Sequence, residues 1–113
     1  MTYLNVDSSG KVNERELSGS IKDNTVLISI MMANNEIGTI QHIKELAEIA
    51  AYYNVVFHTD AVQAYGHIPI DVNEFGIDMM SVSGHKFNGP KGVGFLYVSN
   101  RIPLGPMIFG GEQ

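Results

Sequence analysis

The reactive side chains of this sequence fall in three clusters, each closing an apolar run. They are Asn34-Asn35-Glu36, His58-Thr59-Asp60-Ala61-Val62-Gln63 and Ser83-Gly84-His85-Lys86. Asn35, Asp60, Gln63, Ser83, His85 and Lys86 together supply amides, a carboxylate, a hydroxyl, an imidazole and an amine. The set lacks three metal ligands at close spacing, which disfavours zinc. It also lacks the Gly-x-Ser-x-Gly elbow of a hydrolase triad. An amine beside a hydroxyl and an imidazole, with a carboxylate on a neighbouring strand, suits an aldehyde cofactor. The amine forms a Schiff base, the carboxylate holds a pyridinium proton, and the hydroxyl and imidazole reach a phosphate. That is the pattern of a pyridoxal 5'-phosphate (PLP) site.

Such a set works only if the fold brings it to one place. Five apolar runs read as strands: Thr2 to Val6, Thr25 to Met32, Val55 to Thr59, Asp78 to Ser83 and Gly92 to Val98. The run from Thr25 is nearly continuous, as in a strand covered on both faces. Ile40, Ile43, Leu46, Ala47, Ala50 and Tyr53 recur at helical spacing, with Lys44, Glu45 and Glu48 on the other side. Asn54 stands where such a helix would turn off. A shorter helix is expected over Asn13 to Ile21, before the turn-like Lys22-Asp23-Asn24. Strand, helix and strand at these lengths predict a βαβ unit and an α/β fold with a mostly parallel sheet. In such sheets ligands bind at the carboxyl ends of the strands. All three clusters lie there.

Composition narrows the partners. The 113 residues carry a net charge of −5 and are 44% hydrophobic, consistent with a single domain over 1–113 that buries a core. The acidic balance disfavours nucleic acid and anionic membrane as partners. No stretch of 18 apolar residues is present to span a bilayer as a helix. The first residues have neither the basic nor the apolar region of a signal peptide, and a cytoplasmic location is expected. There is no cysteine, so this chain has no disulfide, no cysteine–zinc site and no thiol nucleophile.

Each site residue also has a plainer reading. Lys86 alone would be a surface lysine, and Asp60 alone could cap the next helix. Asn35 and Ser83 could be turn residues, and His85 a packed histidine. His58 could flank a ring or fill space, and it stays outside the expected site. His42 and His67 read as surface or turn residues. Gly89-Pro90-Lys91-Gly92 lacks the spacing of a nucleotide-binding loop. The methionine pairs Met31-Met32 and Met79-Met80 read as core filler.

In combination the segments are more specific. Met31-Met32-Ala33-Asn34-Asn35-Glu36-Ile37-Gly38, His58 to Gln63, and Ser83-Gly84-His85-Lys86 with Phe87 to Gly94 resemble the cysteine desulfurases of the NifS/IscS branch. The spacings agree as well: 25 from Asn35 to Asp60, 3 from Asp60 to Gln63, and 23 from Gln63 to Lys86. These are class V, fold-type-I PLP enzymes that take sulfur from L-cysteine, leaving L-alanine and an enzyme persulfide for iron–sulfur cluster assembly. The resemblance implies that Lys86 carries PLP as a Schiff base and moves protons at the substrate. It implies that Asp60 pairs with the pyridine nitrogen and that Gln63 bonds the phenolic oxygen. Asn35 would do the same or hold the substrate carboxylate, while Ser83 and His85 contact the phosphate. A homodimer and a sulfur-acceptor or scaffold protein are the implied partners.

The resemblance also marks what would be missing. A whole desulfurase is much longer, so this chain is expected to be the middle of the PLP-binding large domain. It would hold about five of the seven strands, with an N-terminal segment and a small C-terminal domain absent. Met1 would then replace an internal residue, as in a truncated or engineered product. The family's sulfur-accepting cysteine would lie beyond Gln113, so the chain alone is expected to be inactive in that reaction. Thr2 to Val6 would lack its strand neighbour, and the open edge invites self-association. Alternatives of other kinds are a related PLP enzyme such as a selenocysteine lyase, and a non-catalytic assembly piece.

Overall fold

A computed structural model of the chain describes residues 1–107, 110 and 111. Two α-helices, four strands and one 3-10 turn make up its regular structure. They are α1 (Glu14–Ser20), β1 (Leu27–Met31), α2 (Ile43–Tyr52), β2 (Val56–Asp60), β3 (Met79–Ser83), the 3-10 turn (Gly84–Phe87) and β4 (Gly94–Val98). The sheet order is β1-β2-β3-β4. β1, β2 and β3 are mutually parallel, and β4 returns antiparallel to β3. The last four apolar runs are thus contiguous in a mostly parallel sheet, as expected.

Helix formation follows local chemistry. Asn13 caps α1, its Oδ1 accepting from the main-chain N–H of Arg15 at 2.9 Å and of Glu16 at 3.2 Å. α2 has no side-chain cap and depends on its buried stripe, Ile43, Leu46, Ala47 and Ala50. Burying the larger of these side chains contributes about 1.5–3 kcal/mol each. Asn54 ends the helix at φ 54, a left-handed conformation that asparagine tolerates. The stripe packs with Ile28, Ile30, Phe57, Met80 and Val82 on one face of the sheet. Between them Thr59 is fully buried, and its hydroxyl donates to the Ile30 carbonyl at 2.9 Å.

Two expectations need correction. Thr2 to Val6 is not a strand of the sheet. Val6 makes a single antiparallel bridge to Val12. A turn closes it, in which Asp7 Oδ1 accepts from the Ser9 and Lys11 main-chain N–H groups. With no neighbouring strand among the described residues, this run satisfies its backbone locally, and the sheet has four strands instead of five. Nor is β1 covered on both faces. Its burial alternates, with Ile28 and Ile30 inside while Leu27 and Met31 are exposed. The face carrying Leu27, Ser29, His58, Asp60 and Ser81 has no described helix across it.

An anchor lies at the opposite end of the strands from the clusters. Asp78 precedes β3 and is 2% exposed. Its carboxylate accepts from the Phe57 main-chain N–H at 2.9 Å and pairs with the Arg101 guanidinium. That pairing raises the Arg101 pKa further above its ordinary value. Asp78 thereby ties the entry of β3 to β2 and to the segment after β4.

Candidate functional site

The parallel alignment sends β1, β2 and β3 toward one rim, and each strand hands over there to a different connection. After β1 the chain makes a tight loop closed by the Ala33–Ile40 bridge and the Asn34 N–H to Thr39 carbonyl bond of 2.9 Å. Gly38, at φ +71, completes the reversal. Asn34 serves the loop itself, its Oδ1 accepting from the main-chain N–H groups of Glu36 and Ile37. Asn35 beside it is exposed. Of the two asparagines, only Asn34 is committed to the turn.

After β2 the chain bends at Asp60. Its Oδ1 accepts from the Val62 N–H at 2.9 Å, which closes a turn; among the described residues no helix follows here for it to cap. Its other oxygen has no hydrogen-bond partner among the described residues. The Tyr65 N–H then donates to the Ala61 carbonyl at 2.8 Å, a single helical turn that carries Gln63. The main chain links this rim across strands. The Met32 N–H donates to the Asp60 carbonyl at 2.8 Å, and the Ala61 N–H to the Ser81 carbonyl at 3.0 Å.

After β3 comes the 3-10 turn that holds Lys86. Ser83 leads into it, and its hydroxyl lies 2.8 Å from His85 Nδ1. The two residues expected at a phosphate are therefore already paired. Asn88 leaves the turn at φ 67. The loop back to β4 folds tightly on that turn, with Gly84 N–H to Val93 carbonyl at 2.7 Å and Gly89 N–H to Gly84 carbonyl at 2.8 Å. A Cβ on Gly89 would stand 2.8 Å from the Gly84 carbonyl oxygen, and one on Gly94 would stand 2.5 Å from that of Val82. Gly89 and Gly94 thus let backbone pack on backbone behind the lysine, while Gly92 supplies a left-handed φ of +81.

The structure therefore brings Asp60, Gln63, Ser83, His85 and Lys86 to the carboxyl ends of adjacent strands and places Asn35 in the loop beside them. The Lys86 amine makes no hydrogen bond or ion pair among the described residues. Lysine amine, a carboxylate with one open oxygen, free amides and a Ser83–His85 pair form a donor set that fits PLP. The rim is an open shelf. The hollow of about 340 Å³ between α1 and α2, lined by Glu14, Glu48, Tyr52 and Tyr53 among others, lies away from it.

Of two histidines outside the expected site, His67 bonds it and His58 lies beside it. His67 Nε2 lies 2.9 Å from the Lys86 carbonyl, although the residue reads as a turn histidine in sequence. The contact spans 19 residues and follows from the packing of two loops, so no local pattern announces it. Tyr65 supports the same turn, its ring 5.1 Å from Phe87 and 5.3 Å from Phe95, both edge-on. His58 bonds Ser29 and Ser81 on the two flanking strands, each at 2.8 Å. Burial holds its pKa below the ordinary histidine value, and the nearby Asp60 carboxylate opposes that shift.

The chain belongs to the aminotransferase class-V family, whose pattern matches residues 1–113. Within that class it is 57% identical over 113 residues to the cysteine desulfurase IscS of Methanosarcina thermophila, covering 100% of this chain and 28% of that protein. A solved structure described as SspA in complex with cysteine superposes with a TM-score of 0.91 at 44% identity, covering 97% of this chain and 32% of that one. Another, described as a NifS-like protein, gives a TM-score of 0.89 at 44% identity, covering 97% and 31%. The chain spans 28–30% of the length of the first curated relatives it matches. The family's chemistry depends on PLP.

Proposed function

We propose that this chain is the lysine-bearing PLP core of a cysteine desulfurase that takes sulfur from L-cysteine for iron–sulfur cluster assembly. The observation that carries the reading is the convergence of Lys86, Asp60, Gln63 and the Ser83–His85 pair on one rim, in a chain 57% identical to a desulfurase. Lys86 is the amine that would hold the cofactor through its aldehyde carbon and relay a proton at the substrate. The open oxygen of Asp60 would accept from the ring N–H and keep that nitrogen protonated. Gln63 and Asn35 would donate from their amides to oxygens of the cofactor or substrate. Ser83 and His85 would bind the phosphate. When bound, PLP supplies an electron sink that weakens the bonds at the substrate's α-carbon.

Sulfur acceptance needs a thiolate, and this chain has no cysteine. Its own residues therefore serve the cofactor half of the reaction, and the persulfide would form on another segment or chain. The alternative is a related class V enzyme of the same fold, such as a selenocysteine lyase. A homodimer, a sulfur-acceptor protein and a cytoplasmic location complete the proposal.

The test is visible absorbance of the protein with added PLP, before and after borohydride, beside Lys86→Ala. A band that depends on Lys86 and is fixed by reduction is the expected result. Its absence in a folded protein would remove the reading. Product analysis of the full-length protein with L-cysteine, L-selenocysteine and L-alanine then separates desulfurase from lyase.

A further inference from the structure

The Ser29–His58–Ser81 row lies directly behind Asp60. Register places Ser29 opposite His58, and Ser81 opposite Asp60. Alternation along each strand puts all four side chains on the same open face of the sheet. Ser81, the cross-strand neighbour of Asp60, does not spend its hydroxyl on that carboxylate. It is 2.8 Å from His58 Nε2. The other ring nitrogen, Nδ1, is held 2.8 Å from the Ser29 hydroxyl. The imidazole is therefore fixed from both sides, across three strands.

Ser81 and Asp60 are register partners on adjacent parallel strands, so their side chains are neighbours on the sheet face. A free Ser81 hydroxyl would find a carboxylate oxygen beside it, and a hydroxyl bonded to an ionised acceptor is roughly twice as strongly held as one bonded to a neutral partner. Such a bond would compete for the one Asp60 oxygen that has no partner among the described residues and weaken it as an acceptor for a second donor. In the observed arrangement Asp60 keeps a single bond, from the Val62 N–H to Oδ1.

We propose that His58, anchored by Ser29, is a positioning residue that holds the Ser81 hydroxyl away from Asp60 and so keeps one carboxylate oxygen open for the ring N–H of a bound pyridine. A neutral imidazole suits this role, because it accepts from one hydroxyl and donates to the other. Burial favours that neutral form. The inference rests on the PLP-binding reading above.

The test is a PLP titration of the protein, followed by visible absorbance, with the melting temperature of each PLP-free variant measured alongside. His58→Phe keeps the ring volume and frees Ser81, and its apparent Kd is expected to rise about tenfold, the scale of one hydrogen bond. Ser81→Ala added to His58→Phe removes the competing hydroxyl and should recover most of that loss, whatever the melting temperature does. Ser29→Ala, at an exposed position, loosens one anchor and should weaken binding about two- to threefold. A merely structural His58 predicts that the double variant binds no better than His58→Phe. That result, or wild-type Kd in both His58→Phe and Ser29→Ala, overturns the proposal. Should His58→Phe not fold, an unchanged Kd in Ser29→Ala alone overturns it. A wild-type protein that binds no PLP overturns the underlying reading as well, so the two failures are told apart by the wild-type curve.

Discussion

His67 donates from Nε2 to the main-chain carbonyl of Lys86 at 2.9 Å, because a carbonyl can only accept. The bond joins the loop after β2 to the 3-10 turn after β3, so it fixes the backbone from which the lysine amine extends. Gly66 at φ +81 makes the approach possible, since a Cβ there would meet Phe87 Cβ at 2.9 Å.

His67→Ala should therefore loosen the turn more than it destabilises the fold. A bond of this kind is worth about 0.5–1.5 kcal/mol, and the exposure of His67 puts the stability loss at the low end. Capture of PLP at Lys86, followed by borohydride trapping, should slow by roughly two- to tenfold. His67→Gln, which keeps an N–H donor, should regain part of the rate. An Ala variant that captures PLP at the wild-type rate would show that the turn holds without the histidine.

The Asp78–Arg101 pair predicts a cost that falls on stability. Arg101→Ala leaves a buried carboxylate with the Phe57 N–H as its remaining side-chain bond. Breaking a fully buried pair costs about 3–5 kcal/mol. The Arg101 side chain is 52% exposed, so about 2–3 kcal/mol is expected here. Urea unfolding should show a lower midpoint at an unchanged slope. A midpoint within error of wild type would mean that water replaces the arginine without loss.

What could be read in the residues followed from periodicity and punctuation. The stripe of α2, the short helix after Asn13 and the four sheet strands are each written in local sequence. So is the Lys86 turn, because Gly89 and Gly94 are close backbone contacts that a side chain would break and Gly92 holds a left-handed φ of +81. Thr2 to Val6 has strand composition, yet a strand needs a neighbour, and none is described beside it. His58, His67 and the Asp78–Arg101 pair escaped for a related reason. Each acts over 19 or more residues, through partners that only the folded register brings near. Contacts made across the folded register leave no motif, whereas a run of neighbouring residues does.

His58 also sets a direction for stability against pH. Its folded pKa is lowered from 6.5, with burial as the largest cause. The unfolded chain then binds the proton more readily than the folded one. Stability from this group is fully present above about pH 6.5 and declines as the pH falls through the interval between the unfolded and folded values. The ring is partly exposed, so the loss is modest. Urea midpoints measured across that interval should fall toward acid in the wild type and fall less in His58→Phe. Parallel curves for the two proteins would remove His58 as the source.

The glycines allow a prediction with opposite signs in one chain. Gly19 lies inside α1, and a Cβ there meets nothing within 4 Å. Gly19→Ala should stabilise by about 0.5–1 kcal/mol, because alanine loses less backbone freedom on entering a helix. Gly94 opens β4 opposite Ser83, and a Cβ there would stand 2.5 Å from the Val82 carbonyl oxygen. That atom is backbone in the middle of a ladder and cannot step aside without parting β3 from β4. Gly94→Ala should cost about 1–3 kcal/mol, the range for forced overpacking. Since Ser83 leads directly into the Lys86 turn, the same variant should also weaken PLP capture, while Gly19→Ala leaves it unchanged. Thermal melts and PLP titrations on the two variants check both halves. Equal shifts of the same sign would mean that the tight return from the lysine turn to β4 does not govern the rim.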